Sequence, residues 1–306
     1  MRIAVIGAGG VGGYFGGRLA AGGTDVIFVA RGAHAKAIRN DGLRIESPLG
    51  NVQVKPALVV DDIAEIDTAD LVIVAVKLWD TEAVAAALQP LAEKGAAVVS
   101  LQNGVSKDEV LRKYVPPASI IGGVAYIASV IAEPGVIAHT GQMQRLAFGE
   151  FDGSHSTRVR AFQQACAAAN IDAVASDAIE RLIWEKYVFL VAMSAVTSTM
   201  RQPLGPIREN PHTRAFLGDL MREVVAVGRA HGIELREGFV EERLAFCDTL
   251  PASMMSSMAH DLERGNRLEL PWLSGGVVEL GERVGVPVPL NRAVRDVLTL
   301  YAQGRG

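Results

Sequence analysis

Gly7-Ala8-Gly9-Gly10-Val11-Gly12 fits the spacing G-x-G-x-x-G directly after the apolar run Arg2-Ile3-Ala4-Val5-Ile6, and an arginine answers it at position 31. Glycines spaced in this way let backbone amides and the positive end of a helix close on a pyrophosphate. The pattern is common by itself. Its setting gives it weight: Val11 to Ala21 reads as a helix, and Asp25-Val26-Ile27-Phe28-Val29-Ala30 as a second strand. An acidic residue ending that second strand would hold a ribose 2′-hydroxyl. Arg31 stands there and suits a 2′-phosphate, so the expected cofactor is NADP (NADPH) rather than NAD.

Other chemistry-bearing residues follow strand-like runs. Lys77 comes after Leu71–Val76, and Gln102-Asn103-Gly104 after Ala97–Leu101. Each alone could be solvated loop. Together with Arg31 they mark one edge, the carboxyl edge at which open α/β sheets bind ligands. Farther on, Trp184-Glu185-Lys186 leads into fourteen uncharged residues, Tyr187 to Met200. Lys186 either snorkels outward or points into a polar cavity. At helical spacing it shares a face with Leu190, Ser194 and Thr197. A lysine in a cavity is a competent proton donor to a carbonyl oxygen. Ser257 and Glu269 each read either as helix-capping residues or as a hydroxyl and a carboxylate of a site, with Pro271 opening the next helix. The six histidines show no ligand spacing, so no metal is expected, and His260 reads as helix surface.

The elements that must position these groups fall into two regions. The first alternates strands and helices: after the runs above, Asp80–Leu88 and Lys107–Lys113 read as helices. Ser119–Ala125, Val136–Thr140 and Gln144–Gly149 read as strands, Ser156–Asn170 as a helix, and Ile171–Val174 as a last short strand. Alternation of this kind implies an α/β fold, a doubly wound, mostly parallel sheet of the Rossmann type. Helical patterns then take over: Ile179–Met200, Arg214–His231, Val240–Phe246, Ala252–Arg264, Trp272–Val284 and Leu290–Ala302. The expected division is a dinucleotide-binding domain over 1–173 and an all-helical substrate-binding and catalytic domain over 174–306, with a shared cleft. A chain of 306 residues suits two domains. A net charge of −4 with no basic tract argues against nucleic acid as a partner. Two distant cysteines, Cys166 and Cys247, fit free thiols in a reducing cytoplasm, and the N-terminus enters the first strand with no room for a signal peptide. The apolar stretch after Lys186 is short for a membrane span. A homodimer would form through the helical domain, although no decisive apolar stripe marks one.

Taken together, these residues resemble the ketopantoate reductase (2-dehydropantoate 2-reductase) family over essentially the whole chain. The resemblance rests on Gly7–Gly12, Val29-Ala30-Arg31, Val76-Lys77, Leu101-Gln102-Asn103-Gly104, Trp184-Glu185-Lys186, Ser257-Met258 and Glu269. It implies that Gly7, Ala8, Gly9, Gly10, Val11, Gly12 and Arg31 hold NADP, with Lys77 and Asn103 near its ribose and nicotinamide end. It implies that Lys186 is the general acid for a 2-oxo acid, that Glu269 supports the lysine and substrate, and that Ser257 helps bind the substrate carboxylate. The family usually carries asparagine four and eight residues after the lysine, where this chain has Leu190 and Ser194, and asparagine where it has Ser274. The resemblance therefore leaves three readings: reduction of ketopantoate for pantothenate synthesis, reduction of a less polar 2-oxo acid, or a non-catalytic NADPH sensor. The retained Lys186 and Glu269 argue against the last.

Overall fold

The structure, a computed structural model, describes residues 1–305. The first apolar run is β1 (Arg2–Ile6), buried from Ile3 onward. It feeds α1 (Gly10–Ala21) and β2 (Asp25–Val29), the strand, turn, helix and strand predicted from the sequence. Helix α2 (Gly32–Asp41) leads to three short strands, β3 (Leu43–Glu46), β4 (Val52–Val54) and β5 (Leu58–Val60). These strands are absent from the sequence reading. They are only three or four residues long, and alternating exposure in β3 leaves no apolar run to detect. The order continues with β6 (Leu71–Val74), α3 (Thr81–Glu93), β7 (Ala97–Ser100) and the short α4 (Lys107–Leu111). A long hairpin, β8 (Ile120–Glu133) and β9 (Val136–Gly149), is followed by α5 (Thr157–Ala168) and β10 (Asp172–Ala175).

All ten strands form one sheet in the order β4-β3-β9-β8-β7-β6-β1-β2-β5, with β10 also on β9. Most neighbours are parallel; β8–β9 and β3–β4 are antiparallel. Side chains of β1 alternate between two cores, as a strand buried on both faces requires. Ile3 and Val5 pack with Tyr14, Phe15 and Leu19 of α1 and with Phe162 of α5. Ala4 and Ile6 pack with Val84, Ala85, Leu88 and Leu91 of α3 on the other face. This is the doubly wound arrangement.

The rest is helical: α6 (Ile179–Met200), α7 (Leu204–Glu209), α8 (Pro211–Ala230), α9 (Phe239–Thr249), α10 (Ser257–Arg264), α11 (Ser274–Val284) and α12 (Pro289–Leu298). Helix α7 is too short to show a period in the sequence. Helix α11 starts at Ser274, so Pro271 lies in a turn and not at the helix start the sequence suggested. The uncharged stretch of α6 contributes Val188, Val191, Ala192, Ala195 and Val196 to a core shared with α8 and α11. The chain divides into two compact units. One comprises Met1–Asn103 and Lys107–Leu182, and the other comprises Gly104–Ser106 and the residues from Ile183 onward. Among the described residues, no helix is long and apolar enough to cross a membrane.

Candidate active site

Register fixes the edge of the sheet. Ile6 pairs with Val29 on one side and with Val74 on the other, and Val74 pairs with Ser100. Four neighbouring parallel strands thus end in one row, and the segments leaving them are the glycine turn, Ala30-Arg31, Ala75–Lys77 and Leu101–Asn103. The sheet brings the first-unit candidates together because their strands are adjacent, although they lie far apart in sequence.

At the glycine turn, the amides of Gly7 and Ala8 both donate to the Val29 carbonyl, at 3.0 and 3.3 Å, which stitches the turn to β2. Gly7 has φ +94°, a conformation that favours glycine. A Cβ on Gly12 would lie 2.1 Å from the Gly7 carbonyl oxygen, so only glycine lets the helix begin this close to the turn. Gly9 differs: a Cβ there would meet nothing within 4 Å. It is the N-cap of α1 and supplies no side-chain cap, so the first-turn amides are left to an outside acceptor. Arg31 is exposed at the start of α2, and among the described residues its guanidinium makes no ion pair with a carboxylate. Uncapped amides, open space over Gly9 and an uncompensated cation fit a dinucleotide phosphate.

Lys77 is exposed, with its ammonium 5.6 Å from the centre of the Trp79 ring, and Asn103 is half-buried. Between them lies a group whose role is not visible in the sequence. The buried Gln102 carboxamide donates to the Val76 carbonyl at 3.0 Å and to Thr81 Oγ1 at 2.8 Å, and accepts from Ser100 Oγ at 2.9 Å. It ties the segment bearing Lys77 to the segment bearing Asn103. Its partners lie up to 26 residues away, so no local pattern announces it. Behind the same segment, the buried Lys107 ammonium donates to the carbonyls of Ser100 and Gly123 at 2.8 and 2.9 Å and sits 3.4 Å from Asp108. Burial pushes the Lys107 ammonium down and the Asp108 carboxyl up from their ordinary ranges.

In the second unit, Lys186 and Leu190 are half-buried on α6, whereas Ser194 is fully enclosed and its hydroxyl has no hydrogen-bond partner among the described residues. Leu190 packs against the apolar core of the unit. Tyr187, next to Lys186, donates to the carbonyls of Trp272 and Leu273 at 2.8 and 3.0 Å and so fastens α6 to the segment after Glu269. Burial pushes the Tyr187 phenol well above its ordinary range, so it stays a donor. Glu269 is 7% exposed, and its carbonyl starts the turn by accepting from Trp272 and Leu273. The cap of α10 is Ser256, whose hydroxyl accepts from the Ala259 amide and bonds Thr197 Oγ1 at 2.8 Å. Ser257 is exposed at the first residue of α10, so its hydroxyl is not the cap. Ser274, at the start of α11, is a further enclosed hydroxyl without a partner among the described residues. Both cysteines are free and buried; burial pushes the Cys166 thiol up to about 12 and the Cys247 thiol up to about 11. Among the described residues, no group of three His, Cys, Asp or Glu side chains could hold a metal.

Comparison with known proteins shows the family to which the chain is similar. The family model "Ketopantoate reductase PanE/ApbA" matches residues 3–153, and its C-terminal counterpart matches 178–302. A 2-dehydropantoate 2-reductase of Halobacterium salinarum is 33% identical, with 98% of each chain covered. An uncharacterized oxidoreductase of Bacillus subtilis is 32% identical, with 98% of this chain and 99% of the relative covered. The crystal structure of a PanE/ApbA family ketopantoate reductase from Ralstonia eutropha superposes with a TM-score of 0.90 at 33% identity, covering 99% of this chain and 98% of that one. With both parts of its length matched and relatives aligned end to end, the chain belongs to the ketopantoate reductase family of oxidoreductases.

Proposed function

We propose that this protein reduces a 2-oxo acid with NADPH, and that ketopantoate, giving pantoate for pantothenate synthesis, is the first substrate to test. The observation that carries the reading is the row of strand ends, where the uncapped amides of α1 lie beside Arg31, which has no carboxylate partner among the described residues. Gly9 to Gly12 would take the pyrophosphate, and Arg31 the 2′-phosphate that separates NADPH from NADH. Lys77 and Asn103 would serve the ribose and nicotinamide end. When bound, the nicotinamide supplies a hydride to the substrate carbonyl. Lys186 would stabilise the charge growing on that oxygen and deliver the proton. Glu269 would orient the lysine and substrate, and Ser257 would bind the substrate carboxylate.

A second reading keeps this chemistry and changes the substrate. Leu190 stands on the same face of α6 as Lys186 and packs with apolar neighbours. A leucine offers no hydrogen bond to a substrate hydroxyl, and losing one in a site built around it costs about 1–3 kcal/mol. Ser194 and Ser274 are shorter than asparagine and fully enclosed. Leu190, the one of the three with exposed surface, favours a 2-oxo acid with an apolar branched side chain. NADPH oxidation measured with ketopantoate and with a panel of branched 2-oxo acids separates the two readings. Turnover of ketopantoate above all others supports the first. Poor turnover of ketopantoate beside efficient turnover of an apolar acid supports the second. Tight NADPH binding with no turnover of any acid would defeat both.

A further inference from the structure

His34 lies in the first turn of α2, three residues after Arg31, and it touches the glycine turn. Its Nε2 is 2.8 Å from the Ala8 carbonyl oxygen, and the amide of Gly135 donates to its Nδ1 at 3.0 Å. These two partners fix the ring. A backbone N–H can only donate, so Nδ1 carries the lone pair; a carbonyl can only accept, so Nε2 carries the proton. The ring is held at both ends, with Nε2 donating and Nδ1 accepting. Gly135 belongs to the turn between β8 and β9. The same hairpin meets the glycine turn again at Ser129, whose carbonyl oxygen would lie 2.3 Å from a Cβ on Gly10.

The Ala8 carbonyl matters because of peptide geometry. In a planar trans peptide, the C=O of one residue and the N–H of the next point in opposite directions. Fixing the Ala8 carbonyl toward α2 therefore fixes the Gly9 amide away from it. Gly9 has space open above it, and it begins the uncapped end of α1. Glycine on either side of a peptide lowers the barrier to reorienting it, so a turn rich in glycine needs an external hold to present a fixed amide. We infer that His34 is a positioning residue of the dinucleotide site, holding the Ala8–Gly9 peptide so that the Gly9 amide faces the pyrophosphate. The inference rests on the dinucleotide reading proposed above. It assigns His34 no contact with the cofactor and no part in proton transfer.

The test uses the full-length chain with two probes, NADPH by fluorescence titration and 2′-AMP by calorimetry. 2′-AMP carries the phosphate assigned to Arg31 but no pyrophosphate. His34→Leu should weaken NADPH by about ten- to a hundredfold, the scale of one hydrogen bond to a charged group, and leave 2′-AMP within about twofold. Glutamine places its amide where Nε2 lies and asparagine places its amide where Nδ1 lies. His34→Gln should therefore stay within about threefold of the parent for NADPH, and His34→Asn should behave like the leucine variant. The glutamine and asparagine pair decides the matter even if His34→Leu does not fold. Unchanged NADPH affinity in His34→Leu overturns the inference. So does an asparagine variant that binds while the glutamine variant does not, which would make the Gly135 contact the important one. A loss of 2′-AMP in step with NADPH also overturns it, because α2 and Arg31 would have moved. A parent protein that binds neither probe overturns the dinucleotide reading, and this inference with it.

Discussion

Replacing Gln102 by leucine removes a buried carboxamide whose bonds hold two site segments together. The change leaves the Val76 carbonyl and Thr81 Oγ1 without their donor, and the Ser100 hydroxyl without its acceptor. Three net hydrogen bonds at about 1 kcal/mol each come to about 3 kcal/mol, and the better burial of leucine offsets roughly 1 kcal/mol of that. A net loss of about 2 kcal/mol lowers the melting temperature of a unit of this size by about 4–8 °C. Differential scanning calorimetry of the full chain measures it. Gln102→Glu is the sharper companion. It keeps the volume but turns an acceptor toward the Val76 carbonyl, so at neutral pH it should be worse than leucine. A carboxyl facing an acceptor has a raised pKa, so the glutamate variant should regain stability as the pH falls and lose it as the pH rises through that value. NADPH affinity should fall in both variants, because Lys77 and Asn103 lose their common anchor. A leucine variant melting within about 1 °C of the parent, with unchanged NADPH affinity, would refute the bracing role.

Four further outcomes are expected. Arg31→Ala should weaken NADPH by about a hundredfold and NADH by less than about threefold in paired titrations, the scale of a lost charge-assisted phosphate contact. Lys186→Ala should lower kcat by about a hundredfold or more in steady-state assays; normal turnover would remove the lysine from its role. Leu190→Asn should lower KM for ketopantoate by up to about tenfold if the pocket has drifted from that substrate, and leave it unchanged if the hydroxyl is bound elsewhere. Glu150 is opposed by burial, but the bonds it accepts from Arg158 and Ser156 outweigh this and hold its carboxyl below the usual range. A lowered pKa contributes stability above the unfolded value of 4.5 and loses it as pH falls through the folded value. Glu150→Gln should thus be less stable than the parent at pH 7 in urea titrations, with the gap closing in acid.

What was legible in the sequence follows from the range of the forces involved. The unit from β1 to β2 declared itself because apolar runs, glycines and a helix sit consecutively within 30 residues. Helix α6 was readable end to end, since nothing charged interrupts it after Lys186. Strands β3 to β5 are hidden because three or four residues are too few to show a period, and the full hairpin is hidden because Val130 and Ile131 near its tip are apolar yet exposed, which breaks the burial pattern a strand would show. Ser256 and Ser257 are adjacent hydroxyls, and only backbone geometry shows that the first is the cap. His34 has no spacing in the sequence that separates it from the other histidines. Its partners are a carbonyl 26 residues earlier and an amide 101 residues later, and neither has a side-chain signature.

The pairing of β9 also bears on how the molecule is made. Opposite β8, its far edge is shared: Val136–Ala138 pair with β3, and Arg145–Phe148 pair with β10. A strand made early must wait for β9 to leave the ribosome, and β9 must wait in turn for β10. Until residues 172–175 arrive, Leu146, Ala147 and Phe148 present an apolar, unsatisfied strand edge open to another nascent chain. A fragment ending at Gly149 would carry the whole glycine turn and still aggregate. One carried through β10 closes its own edge, which sets the shortest useful boundary for expressing the first unit by itself.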